Sequence, residues 1–269
     1  MSAATVEAPA TASYAGARHD DHGHPGIPFS RVLHVEVRKL IDTSAGRWLL
    51  IATGGLTVLV VVTILIGGDA ADLRFADLLG FAMWPLAVLL PVLGTLTATA
   101  EWSQRTGLVT FALEPHRGRV VIAKVLAAVG LGLGVVGTAM AGCALAYVAG
   151  AAAREIPPVW SIERAALLGI LLSLVIYLLQ GLAFGFMFLN TPLAIVTSLV
   201  LPGVVSAIPS LVSSAERFTV WLDLSSVTDP LMVGTMAGSD WAHLGTACGV
   251  WLALPMALGT WRVLTKEIA

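Results

Sequence analysis

Two short stretches hold the residue types that could do chemistry. In "HDDHGHPG", His19, Asp20, Asp21, His22 and His24 sit close together, and imidazoles with carboxylates could hold a transition-metal ion. The plainer reading is a solvated tail, and no metal site is assigned. "EWSQRTGLVTFALEPHRGRVVIAK", residues 101 to 124, carries six formal charges between two long oily runs. Neither stretch is catalytic in pattern. The chain has no H-E-x-x-H and no G-x-S-x-G, and its apolar runs hold no pair of carboxylates. It also lacks G-x-x-x-x-G-K-[ST], so it cannot cradle ATP phosphates by the usual loop. The chain is therefore not expected to be an enzyme or to bind a cofactor. A transport role would draw its energy from an ion gradient or from another polypeptide.

The elements that position these residues follow from composition. The chain has 269 residues, 57% hydrophobic and only 12% charged, with a mean hydropathy of +0.87. That leaves too little polar material to cover a soluble surface. A membrane span needs about 20 mostly apolar residues. Six runs supply it, at about 48–67, 78–100, 120–150, 165–189, 192–212 and 242–262, the fourth and fifth divided at Asn190-Thr191-Pro192. Open sheets cannot leave backbone groups unpaired in hydrocarbon, and no ten-residue alternation of a barrel is present. The expected fold is all-α: a polytopic six-transmembrane-helix bundle over residues 29–269, behind a disordered cytoplasmic tail at 1–28.

Lysine and arginine orient the bundle. With both termini cytoplasmic, eleven of the fifteen basic residues fall in inner segments and four in outer loops. This is the expected arrangement in a cell (plasma) membrane. Basic residues at membrane edges, rather than in a stripe interleaved with aromatics, give nucleic-acid binding no support. The spans are read as almost free of ionisable groups, which argues against a proton or ion relay. Cys143 and Cys248 read as buried small hydrophobes.

Between the spans, "FSRVLHVEVRKLID" repeats apolar residues at helical spacing, with Arg31, His34, Arg38 and Asp42 on another side. An amphipathic helix along the inner membrane surface is expected. In the 101–124 segment, Glu101 and Arg105 stand at i and i+4, a favourable helical pair. Leu108 to Leu113 form a short apolar helix that Pro115 ends. Apolar side chains turned toward the cytoplasm make sense if a soluble protein has a groove for them. The outer stretch before the sixth span is too apolar for a free loop, so Trp221, Leu222 and Leu231 are read as a possible outer gate that dips into the leaflet or caps the bundle.

Glu101-Trp102, Arg105-Thr106-Gly107, Leu113-Glu114-Pro115, Arg117, Arg119 and Ala123-Lys124 resemble the coupling segment of ATP-binding-cassette (ABC) transporter permeases of the type-2, exporter-like class. That family more often has Gly-Thr where this chain has Thr106-Gly107. "EVRKL", with Glu36, Arg38, Lys39 and Leu40, is similar to the family's amphipathic helix leading into the first span. The resemblance implies a membrane subunit that pairs with a second permease copy or a related permease. It also implies separate cytoplasmic ABC ATPase subunits that carry the ATP and Mg. Glu101 and Arg105 would orient the coupling helix, Leu108 to Leu113 would dock it, and Arg117 and Lys124 would fix it to the headgroup layer. Export of a lipophilic or amphipathic substrate suits a path without fixed charges. An ion-coupled secondary transporter and a non-transporting membrane scaffold are the alternatives.

Overall fold

The computed structural model describes residues 27–68, 74–114, 116–160, 162–212, 214 and 216–265, apart from the side chains of Phe111 and Glu216. The His-rich stretch and Pro115 lie outside the described residues. All regular structure among the described residues is helical: α1 (Phe29–Asp42), α2 (Ser44–Gly67), α3 (Phe75–Ser103), α4 (Gly107–Leu113), α5 (Arg117–Ala153), α6 (Arg164–Phe188), α7 (Thr191–Leu211), α8 (Glu216–Thr219), α9 (Leu224–Val233), α10 (Asp240–Cys248) and α11 (Leu254–Thr265), with a π-helical segment, Gly249–Ala253, joining the last two. Among the described residues, six helices are long and apolar enough to cross a membrane: α2, α3, α5, α6, α7 and the continuous helix from Asp240 to Thr265. The protein is an all-α, multi-pass membrane protein.

Local chemistry sets the breaks. Thr43 leaves helical geometry between α1 and α2, and its Oγ1 accepts the amide of Gly46, a side-chain cap on the first span. Leu189 turns left-handed at φ 53° after α6. Asn190 then caps α7, its Oδ1 accepting the Leu193 amide at 3.1 Å, with Pro192 in the first turn, where a missing N–H costs nothing. The fourth and fifth spans thus divide at the Asn-Thr-Pro step.

The centre of the bundle is α3 against α6. A Cβ on Gly181 would collide with the carbonyl of Pro91, so the backbones approach as only small residues permit. Thr95 Oγ1 donates to the Gly181 carbonyl at 2.9 Å across the same seam. Leu78, Leu86, Leu93, Leu174, Leu178 and Leu182 fill the space around it, all essentially sealed. The peripheral spans α2 and α7 bury little of their surface within the chain. Of the glycines on the third span, Gly132 abuts Leu178, while Gly130 and Gly134 face open space.

One end of the bundle gathers α1, α4, the end of α3, the start of α5 and the end of α11. Arg117 Nη1 donates to the Val263 carbonyl at 2.9 Å, and Arg119 Nη2 to the Ile27 carbonyl at 2.8 Å. At the other end Arg154 donates to the carbonyls of Leu65 and Gly68.

Candidate functional site

Residue 36 falls on the inward stripe of α1 with Leu33, Val37 and Leu40, although it is a glutamate. Its carboxylate is buried together with Glu101 at the end of α3 and Lys124 in the second turn of α5, each 3% exposed or less. Lys124 Nζ donates to Glu36 at 2.7 Å, to Glu101 at 2.7 Å and to the Thr97 carbonyl at 3.2 Å. Those are three acceptors for the three protons of an ammonium. Lys39, partly exposed, reaches Glu36 at 2.7 Å and Glu101 at 2.9 Å. Two carboxylates and two ammoniums therefore close a ring of no net charge that joins α1, α3 and α5. Burial works against the charged form of Lys39, and the carboxylates of Glu101 and Glu36 outweigh it, holding its pKa above the usual lysine value.

This ring corrects three expectations. The bundle is not free of buried charge at the end that carries α1 and α4. Lys124 does not reach a headgroup layer, because its ammonium is sealed among carboxylates. Glu101 does not pair with Arg105: α3 ends at Ser103 and Arg105 turns left-handed at φ 56°, so the i,i+4 geometry is lost. The Thr106 amide bonds back to the Glu101 carbonyl at 3.0 Å, and the turn launches α4 at Gly107.

Above the ring, α4 presents Leu108, Val109 and Leu113 outward, at 57%, 62% and 67% exposure. Between α4 and α1 runs a groove of about 490 Å³, walled by Val32 and Val35 on one side and Val109 and Leu113 on the other, with Lys39 and Glu101 at its floor. Glu114 is buried beside α4, accepting from Arg119 Nη1 at 2.8 Å and pairing with the His116 ring at 3.1 Å. Of the remaining residues singled out in α1, Arg38 lies on the exposed side, bonded to Asp42 at 2.9 Å, and Leu40 is buried in the core. Glu36, Lys39 and Glu101 thus come together, Leu108 and Leu113 lie on the outward face of α4, and Arg117 ties α5 to α11.

The stretch read as an outer gate re-enters the bundle. Trp251, well inside the sixth span, donates its indole N–H to the Leu222 carbonyl at 2.6 Å. Asp223 then caps α9, accepting from Ser206, Ser225 and Ser226 at 2.5 to 2.7 Å. Burial opposes its charge, and those hydroxyls overcome it, holding the carboxyl below its usual range. From there α9 returns along α6. A Cβ on Gly169 would collide with the Leu231 carbonyl, and Tyr177 and Thr228 share a hydrogen bond of 2.6 Å. Non-helical backbone at this depth is tolerable because protein surrounds it. Leu231 is buried, and Trp221 lies edge-on to His243 with centroids 4.2 Å apart.

Among the described residues no group of three His, Cys, Asp or Glu could hold a metal ion. The ion ring binds its own charges to one another, and its four side chains join α1, the end of α3 and the start of α5. Sequence reasoning passed over the partnership of Lys124 with Glu36, which lie 88 residues apart. The one available signal was a glutamate on the apolar stripe of an amphipathic helix. Comparisons with family models, with curated proteins and with solved structures find no match for this chain.

Proposed function

We propose that this chain is the membrane subunit of an ATP-driven transporter, resembling the type-2, exporter-like ABC permeases, and that the 101–124 segment receives the force of a separate ATPase. One observation supports this most. The exposed apolar helix α4 begins just beyond the end of α3, where Glu101 is held by a buried ion ring to α1 and α5. A load applied to Leu108 and Leu113 would reach α3 through the short turn at 104–106, next to the ring that joins α3 to α1 and α5. A loop whose only task is to reverse the chain has no need of such a foundation, since a buried charge ring costs desolvation that a few polar residues would avoid.

In this reading α4 and α1 face the cytoplasm, in keeping with the basic bias of their end of the bundle, and the membrane is the cell membrane. A second permease subunit completes the assembly, with the ATP and Mg on the partner ATPases. The substrate is lipophilic or amphipathic, because the six spans place their charges at the rims and not along their middles. The re-entrant segment around Leu222 and Leu231 acts as the outer gate.

The reading is tested by purifying the tagged protein in mild detergent, identifying what accompanies it and assaying ATP turnover. A soluble ATPase carrying the phosphate loop, with vanadate-sensitive turnover, is the expected companion. An intact, monodisperse preparation that is alone and inert would favour the scaffold or ion-coupled alternatives.

A further inference from the structure

We propose that α9 is a lid that opens from α6, and that Tyr177 exchanges its hydrogen bond between Thr228 in the closed state and Ser173 in the open one. The register of α6 sets these groups together. Ser173 stands one turn after Gly169 and one turn before Tyr177. A Cβ on Gly169 would collide with the Leu231 carbonyl, and the Tyr177 hydroxyl meets Thr228 Oγ1 at 2.6 Å. Ser173 therefore lies beneath α9, between two points of contact. Its hydroxyl is sealed, and among the described residues no partner reaches it. A buried unpaired hydroxyl destabilises the state that holds it, and in a native fold it calls for a reason.

Counting protons supplies one. Thr228 Oγ1 donates to the carbonyls of Leu224 at 2.9 Å and Ser225 at 3.0 Å, one turn back in its own helix. A hydroxyl has a single proton, so Tyr177 is the donor between the two. When α9 leaves, Thr228 keeps its own bond and Tyr177 loses its acceptor. Side chains at i and i+4 of a helix are neighbours, and long ones lean over the turn before their own. Ser173 is thus the acceptor within reach of the freed Tyr177 hydroxyl. Each state holds one bond at Tyr177, and opening pairs the group that closure leaves unpaired. The apolar cluster that includes Ile176, Leu224, Val227 and Leu231 holds the lid shut.

The ends of α9 suit the movement. At its start the Trp251 indole is bonded to the Leu222 carbonyl, and Ser206 to Asp223. Beyond its finish, Gly234 at φ 82° and Gly238 at φ 42° bracket the link to α10. Glycine supplies the backbone freedom that a hinge absorbs. The lid swings about Asp223, and its far end at Val233 travels most. This device rests on the gate role proposed for the stretch, but its test needs no ATPase, so its failure would leave the docking of α4 untouched.

The test is hydrogen exchange of residues 224–233, read by mass spectrometry on the purified full-length protein in lipid nanodiscs, with α3 as the reference for global opening. Thr228→Val removes the closed partner and should speed exchange about fivefold, the scale of one hydrogen bond. Ser173→Ala removes the open partner and should slow it by a similar factor. In a Tyr177→Phe background Ser173→Ala should lose most of that effect, as a double-mutant cycle measures. Equal slowing in both backgrounds overturns the proposal, because Ser173 would then be relieved by water and not by Tyr177. An unchanged rate in Ser173→Ala or in Thr228→Val overturns it as well.

Discussion

Glu101 and Lys124, the first and last residues of the charged segment between the second and third spans, meet at 2.7 Å in a site that excludes water. The segment is thus closed at its base, and α4 rides on the closure. Removing one partner strands the others. Lys124→Met leaves two buried carboxylates facing Lys39 alone, and a broken buried pair typically costs about 3–5 kcal/mol. The expected result is a large fall in folded yield and in thermal stability in detergent. The Glu101→Gln, Lys124→Met double variant should be less damaged than the sum of the singles, as a double-mutant cycle would read directly.

The left-handed turn at Arg105 separates a capped turn from a continued helix. Arg105→Gly removes a steric penalty at that φ, so stability should be unchanged or slightly raised. Arg105→Val should cost more than Arg105→Ala, because a β-branched residue fits positive φ worst. If Arg105→Gly proved as damaging as glycine inside a helix, the turn described here would be wrong. Chemical denaturation in mixed micelles measures all three.

The seam of α3 and α6 depends on Gly181. Any added carbon meets the Pro91 carbonyl, and overpacking of this kind costs about 1–3 kcal/mol. Gly181→Ala is expected to lower the melting temperature. Gly130→Ala, at a glycine facing open space, should leave it unchanged. Equal melting of the two variants would count against the close approach.

Two groups outside the spans set pH limits at opposite ends. The folded pKa of Asp223 lies below its ordinary 3.8, so its contribution is present above 3.8 and is lost as the pH falls through the folded value. The folded pKa of Lys39 lies above its ordinary 10.5, so its contribution is complete below 10.5 and is lost as the pH rises through the raised value. Hydrogen exchange of residues 223–233, corrected for intrinsic rate, should loosen in acid in the wild type. In Asp223→Asn the protection should be lower throughout and insensitive to acid.

The spans were legible because apolar runs bounded by charges have few alternatives, and Asn190 with Pro192 marked the division of the longest run. The exposure of Leu108 and Leu113 was legible for the same reason, as oil in a place where chain reversal needs none. The ion ring was not. It joins residues of three helices, and sequence spacing reports only neighbours on one helix. That is why Glu101 was matched to Arg105, when the partners that reach it are Lys39 and Lys124. The re-entrant course of the stretch before the sixth span was half visible in its apolar residues, but the depth of Leu222 depends on the indole of Trp251, which nothing nearby in sequence indicates.

The central claim is that α4 is the surface on which an ATPase acts. Its most direct test is quantitative affinity purification of the tagged wild type beside Leu108→Asp and Leu113→Asp. Both substitutions lie on exposed positions and should change stability by no more than about 0.5 kcal/mol. The account predicts that an ABC ATPase accompanies the wild type and is lost from both folded variants. Wild-type recovery of the ATPase with both aspartates in place would contradict it.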